Sequence, residues 1–304
     1  MQKTLYPPFL KEGDAVAIVA ISGPVMEAPV HAARKILEKE GFRVHLGAHC
    51  LDQVGMLAGK DEDRLADFQQ ALDNPEIKAI LFARGGYGAS RIIDLADFSQ
   101  FRKLPKWLVG FSDLTAIHLH LEKYHICSIH GVMPNSYARE GGEVARQALF
   151  GLLKGKTTKL ASPKHPLNRQ GKAKGKILGG NLSIINHCLS SPSEPNWKGA
   201  ILVLEDLEEQ LYHLDRMMIQ LQRSGVLSQL AGLIIGQFSD MKEGRYPFGK
   251  LAEEIILQHV ANYQYPVWVG APIGHEAHNL PFIHGANICL EVTDEGSSID
   301  YLQN

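Results

Sequence analysis

Residues 79–88 read Ala79-Ile80-Leu81-Phe82-Ala83-Arg84-Gly85-Gly86-Tyr87-Gly88: a short apolar run, then three glycines in four positions, with a helical stretch over 89–95 behind them. An apolar run of strand length without polar alternation is the pattern of a strand buried on both faces, and such strands belong to parallel sheets covered by helices. Toward the N-terminus the same unit recurs. A helix over 61–73 is stopped by Asn74-Pro75; before it come a strand at 43–46, a helix over 29–40 that Gly41 ends, and an apolar run at 15–21. Toward the C-terminus follow a strand at 107–110 and a helix over 114–124. Strands alternating with helices predict an α/β fold whose N-terminal domain, residues 1–154, is a doubly wound, mostly parallel sheet.

Between 155 and 175 the chain turns polar, with Lys156-Thr157-Thr158-Lys159, Ser162-Pro163 and Lys172-Ala173-Lys174-Gly175, which reads as an inter-domain linker. Beyond it, β runs at 176–178, 200–204, 233–237, 266–269 and 286–292 are interrupted by helices over 182–189, 212–224 and 249–260. The expectation is a smaller C-terminal α/β domain over 176–304 with antiparallel or barrel-like character.

The 304 residues hold 31 Lys+Arg against 33 Asp+Glu, a formal charge of −2, with 45% apolar and 21% charged residues. That is ordinary globular composition. It lacks the basic excess of a nucleic-acid partner, whose phosphates supply most of the binding energy. Four cysteines, Cys50, Cys127, Cys188 and Cys289, form no CxxC pair, so neither a zinc knuckle nor a disulfide framework is indicated and a reducing, cytoplasmic setting is expected. The run at 15–21 is too short for a membrane span and opens after Gly13-Asp14 rather than a basic segment.

Four features carry candidate chemistry. In Leu108-Val109-Gly110-Phe111-Ser112-Asp113-Leu114-Thr115 a strand passes through a sharp turn into a helix, which exposes Ser112 at the carboxyl edge of the sheet, where open α/β sheets place ligands. A serine or aspartate there serves equally well as a helix cap. The last glycine of a hydrolase Gly-x-Ser-x-Gly elbow is missing, which disfavours a standard α/β-hydrolase. The glycine turn at Gly85, Gly86 and Gly88 offers backbone N–H groups to an anion, and Arg84 adds a fixed positive charge; neither a dinucleotide fingerprint nor a P-loop is present. Glu205 is the first acidic residue after the apolar run 201–204. Finally, Gly274-His275-Glu276-Ala277-His278 follows a strand, but its spacing is not that of a helical His-Glu-x-x-His zinc site, and no metal is expected. Ser112, His275 and Glu205 together supply a nucleophile, a base and a carboxylate to orient the base, the set that acyl transfer needs.

In that combination the chain resembles the LD-carboxypeptidases, or muramoyl-tetrapeptide carboxypeptidases, serine peptidases with a Ser-Glu-His triad. The resemblance spans essentially the whole sequence. It rests on Arg84-Gly85-Gly86-Tyr87-Gly88 with Arg91, Gly110-Phe111-Ser112-Asp113, His130-Gly131, Gly179-Gly180-Asn181-Leu182, Leu204-Glu205-Asp206 with Tyr212 and Asp215-Arg216, and Gly274-His275 with Leu280-Pro281. It implies that Ser112 is the nucleophile, His275 the general base and Glu205 its orienting partner, divided between two domains, and that no cofactor takes part. The backbone N–H groups of Gly86 and Asp113 would form the oxyanion hole, and Arg84, Gly85 and Tyr87 would meet the substrate. The implied reaction removes the terminal D-alanine from a murein tetrapeptide for cell-wall recycling, with no nucleic-acid or membrane partner. The family often forms homodimers, though the amphipathic helices here serve a core as readily as an interface. Two alternatives stand beside it: a relative that hydrolyses peptidyl- or acyl-adenylate antibiotics for self-immunity, for which Trp197 is the one aromatic candidate to stack on a nucleobase, and a non-catalytic two-domain small-ligand binding protein. Around Leu280-Pro281-Phe282-Ile283-His284-Gly285 the residues are bulkier than the small glycine-containing turn expected near Pro281.

Overall fold

The four expected strands of the N-terminal half form as β1 (Ala15–Val19), β2 (Arg43–Leu46), β3 (Ile77–Phe82) and β4 (Trp107–Gly110), and a further one, β5 (Ser128–His130), joins them, all parallel, in the order β5-β4-β3-β1-β2. The computed structural model describes residues 4–156 and 159–302; Thr157 and Thr158 of the expected linker lie outside them. Around this sheet run helices α1 (Glu27–Lys39), α2 (Asp61–Asp73), α3 (Ala89–Ile92), α4 (Ser99–Lys103), α5 (Thr115–Leu121) and α6 (Glu143–Leu153). Apolar spacing explains their seating: α1 buries Val30, Ala33 and Leu37, one stripe of a 3.6-residue period, with Ile36 half-buried beside it.

The second sheet starts earlier than the sequence suggests. β6 (Leu160–Pro163) and the first half of β7 (Gly171–Asn181) lie inside the segment read as a linker, so 155–175 contributes strand to the second sheet. The reason is visible in β7, where lysines at 172, 174 and 176 occupy one face of a strand, as expected when a sheet face meets water. β7 continues into β8 (Ile201–Leu207), β9 (Gly232–Ser239) and β10 (Val267–Val269), a parallel series covered by α7 (Leu182–Cys188), α8 (Leu211–Arg223), α9 (Val226–Gln229) and α10 (Ala252–His259). Of the last three strands, β11 (Phe282–His284), β12 (Asn287–Val292) and β13 (Gly296–Tyr301), the final two extend the sheet antiparallel, giving the order β10-β9-β8-β7-β12-β13-β6. Its two edges meet: Trp268 Nε1 on β10 donates to Ser162 Oγ on β6 at 2.8 Å, and Val269 N–H donates to Asn168 Oδ1 at 2.8 Å. That closure gives the C-terminal half its barrel-like character.

β11 does something else. It pairs antiparallel with β5, Phe282 opposite His130, and so becomes the sixth strand of the N-terminal sheet. Residues 280–285 are therefore not the small turn expected there; they are bulky because they fill a sheet edge and bury Phe282 completely. The chain therefore crosses between the two sheets three times, before β6, before β11 and before β12.

Docking is tight where β7 meets α5. A β-carbon on Gly179 would fall 2.2 Å from Val203 O of the adjacent strand β8, and one on Gly180 would fall 2.7 Å from Thr115 Oγ1 on α5. Only glycine permits that approach, and Asn181 N–H then donates to Thr115 Oγ1 at 3.1 Å. Gly180 and Asn181 are thus a docking device between the halves, while Gly179 serves the β7–β8 pairing.

Candidate active site

Ser112 stands at the end of β4 with φ +63°, a left-handed conformation that costs a non-glycine residue about 1 kcal/mol or more. Such strain at a strand-to-helix turn turns a side chain outward. The Ser112 hydroxyl is half-buried and makes no hydrogen bond among the described residues. The next residue, Asp113, points the other way. Its carboxylate, 2% exposed, accepts from Ser22 Oγ at 2.6 Å and from Ala89 N–H at 2.9 Å. Burial raises its pKa against those hydrogen bonds. It ties the serine turn to the exit of β1 and to the helix behind the glycine turn.

The glycine turn faces Ser112. A β-carbon at Gly85 would lie 2.9 Å from Ser112 Cβ, so residue 85 has to be glycine. Gly85 C=O accepts from Gly23 N–H at 3.0 Å, and in a planar trans peptide the N–H of Gly86 then points in the opposite direction. Arg64, wholly buried, braces the turn by donating to Ile21 O and to Gly88 O. Its place at a helix start is legible in the sequence, its bracing role is not. Arg84 is exposed and donates to Pro24 O at 2.9 Å; Tyr87 is 43% exposed. Arg91 forms a paired contact with Asp61.

Glu205 and His275 come from the other sheet. Glu205 lies on β8 opposite an irregularity of β9, where Leu204 pairs with Ile235 but Asp206 with Phe238. The extra residue on β9 re-aims its neighbours: Gln237 N–H donates to Ile273 O at 2.7 Å and suspends the loop that carries His275. His275 Nδ1–H donates to Glu205 Oε2 at 2.7 Å, and Glu205 has no solvent exposure. That bond sets the tautomer and leaves Nε2 with a free lone pair. Burial depresses the His275 pKa, but the charge of Glu205, its hydrogen bond and the charge of Asp206 together outweigh burial and raise it above the usual 6.5. The His275 ring packs against Phe111, centroids 4.8 Å apart, and Phe111 immediately precedes Ser112. The base thus sits at the serine turn across the domain boundary.

Two residues here escaped sequence reasoning as parts of the site's support. Asp206 accepts from Asn181 Nδ2 at 2.8 Å and from Ser183 N–H at 2.9 Å, and its pKa is pushed to about 7 by burial and by the Glu205 charge. His130 is fully buried between Phe111 and Phe282, with neither ring nitrogen hydrogen-bonded. It belongs to a buried histidine group with His118 and His284, whose centroids are 5.5 Å apart. His278 is exposed and forms no ligand-like group with His275; among the described residues the one set of three His, Asp or Glu side chains at metal-ligand spacing is His49, Asp52 and Asp63. Trp197 is 3% exposed and donates Nε1–H to Glu194 at 3.3 Å, so it presents no face for stacking.

A two-domain α/β protein with a strained serine turn on one sheet and a carboxylate-held imidazole on the other defines the class. Its relatives name the family: residues 16–131 match the LD-carboxypeptidase N-terminal domain and residues 174–290 the LD-carboxypeptidase C-terminal domain, and the chain belongs to this family. It is 31% identical over 97% of its length to a Bacillus subtilis protein named "Probable murein peptide carboxypeptidase", covering 94% of that protein. It is 30% identical to the murein tetrapeptide carboxypeptidase of Pseudomonas aeruginosa, over 91% of this chain and 92% of that one. Among solved structures, muramoyltetrapeptide carboxypeptidase from Oxalobacter formigenes superposes with a TM-score of 0.87 at 26% identity, over 95% of this chain and 99% of the other. No described helix is long and apolar enough to cross a membrane.

Proposed function

We propose that this chain is a serine-type LD-carboxypeptidase that removes the terminal D-alanine from murein tetrapeptides, in the cytoplasm and as a homodimer. The observation that carries the reading is the 2.7 Å pair of His275 and Glu205, suspended beside the strained Ser112 turn.

Serine carries negligible alkoxide at neutral pH, so an imidazole has to take its proton as the oxygen attacks. In this reading Ser112 Oγ attacks the carbonyl carbon of the L-centre, and His275 Nε2 accepts the hydroxyl proton. Glu205 stabilises the imidazolium that results. The negative charge moves to the carbonyl oxygen, where Gly86 N–H and Asp113 N–H receive it. The orientation that Gly23 forces on the Gly85–Gly86 peptide supports that assignment. Collapse of the intermediate breaks the C–N bond, and the imidazolium proton goes to the departing D-alanine nitrogen. Water, deprotonated by the same imidazole, then releases the acyl group from Ser112. The free carboxylate of the substrate is met by Arg84, whose guanidinium has no carboxylate partner among the described residues, with Gly85 and Tyr87 lining the approach.

Solved structures of the microcin C7 self-immunity protein share the fold, one of them holding aspartyl sulfamoyl adenosine, with a TM-score of 0.86 at 18% identity. The buried Trp197 supplies no stacking platform for a nucleobase, so the peptidase reading is preferred. The test is incubation of purified protein with a tetrapeptide ending in D-alanine, followed by mass spectrometry for the tripeptide. Intact tetrapeptides alongside hydrolysis of a peptidyl-adenylate would reverse the preference.

A further inference from the structure

At the end of β8 remote from Glu205, a cleft of about 660 Å³ opens between the two halves, lined by the end of α5, the start of β7 and the loop before β8. Ala200 in its wall is five residue steps along the strand from Glu205, so the cleft lies roughly 16 Å from the candidate triad. We propose that it binds a small phosphate-bearing polyanion.

Charge is the first argument. The chain as a whole is slightly acidic, yet four lysines line this cleft. Lys176 is neutralised by Glu122 at 2.7 Å. The other three, Lys123, Lys174 and Lys198, are exposed and have no carboxylate partner among the described residues; Lys123 rests over the Tyr124 ring. The remaining acid, Glu194, spends its oxygens on its own loop, accepting from Ser190 N–H at 2.6 Å and from Trp197 Nε1–H. Three lysines without a carboxylate partner thus line one cleft. Lys174 is informative because its same-face neighbours on β7, Lys172 and Lys176, each have a glutamate while it has none.

The wall adds a second argument. His125 takes a left-handed conformation, φ +54°, and its Nδ1 is buried without a hydrogen-bond partner. A buried ring nitrogen left unpaired is unfavourable by about 1–3 kcal/mol. Glycine also fixes the wall: a β-carbon at Gly175 would fall 2.2 Å from Gly199 O, so the loop before β8 can lie against β7 only there. The volume fits a metabolite-sized ligand rather than a macromolecule, and lysines act on phosphate as mobile point charges without the planar fork that arginine offers a carboxylate.

Trp197, bonded to Glu194 in the wall, reports on occupancy. The experiment titrates the full-length protein with inorganic pyrophosphate, with citrate as a polycarboxylate and with acetate, following tryptophan fluorescence and calorimetric heat. The expected result is saturable pyrophosphate binding that weakens with salt, exceeds that of citrate and acetate, and falls by about tenfold or more in the Lys123→Gln/Lys174→Gln/Lys198→Gln variant. These side chains are exposed and unpaired, so the variant should keep the wild-type melting temperature. Absence of saturation by about 10 mM, or equal affinity in the variant, overturns the site. Citrate binding tighter than pyrophosphate overturns the phosphate assignment.

Discussion

Gly85 and Ser112 are in such close contact that a β-carbon on residue 85 would fall 2.9 Å from Ser112 Cβ and 3.0 Å from its Oγ. The contact couples the two segments on which the proposed chemistry depends. Gly85→Ala is expected to push them apart at a stability loss of about 1–3 kcal/mol. Displacing the reacting oxygen by about 1 Å is expected to lower kcat on the order of 10²-fold. Thermal melts alongside turnover of the tetrapeptide check both; an active variant would separate the glycine turn from catalysis.

Replacing Ser112 by glycine removes the hydroxyl and also the left-handed strain. The gain of about 1 kcal/mol from the relaxed backbone offsets the loss of about 0.5–1 kcal/mol from a more flexible unfolded chain. Ser112→Gly should therefore melt no lower than wild type while releasing no D-alanine. Retained turnover would exclude Ser112 as the nucleophile.

The raised pKa of His275 sets a pH limb. The imidazole acts as a base only when neutral, so kcat/KM should rise with pH through a midpoint above 6.5. Glu205→Gln deletes the largest of the contributions that offset burial, so the midpoint should move down while kcat drops by about 10³–10⁴. An unchanged midpoint would mean that Glu205 does not face the titrating group.

His130 is expected to be a liability rather than a catalyst. Burial first, then the positive potentials of His118 and His275, hold its pKa well below 6.5. An unfolded chain takes up that proton as pH falls below 6.5 while the folded one does not, so stability is lost toward acid at about 1.4 kcal/mol per pH unit. His130→Leu, similar in volume, should be at least as stable as wild type at pH 7 and less acid-sensitive by that slope. Urea denaturation at pH 7 and pH 5 measures the difference. A large fall in kcat without loss of stability would instead show that the ring positions Phe111 and His275.

Much of the first sheet is legible because its strands are buried on both faces and read as plain apolar runs, as at Ile80, Leu81 and Phe82. β7 is legible only in its second half, since Lys172 and Lys174 alternate outward on a solvated face and look like a polar connection. β11 is too short to carry a period, and its partner lies in the other half of the chain. Ser112, Glu205 and His275 each stand at or near a strand end, where sequence pattern is strongest. The roles of Arg64, Asp113 and Asp206 stay hidden because their partners, Ile21, Ser22 and Asn181, are distant in sequence or reached through a turn of chain that no spacing rule encodes.

The return of β11 to the first sheet ties the order of synthesis to the order of folding. A chain made from its N-terminus presents β5 with an unpaired rim until Phe282–His284 has emerged, after the whole parallel series of the second sheet. Pairing across so long a stretch closes late and slowly. Until then the rim of β5 is open to strands of other nascent chains. A chain cut between β10 and β11 would hold only the parallel series β7 to β10 of its second sheet, with β6 unpaired for want of β13, and a first sheet without its sixth strand.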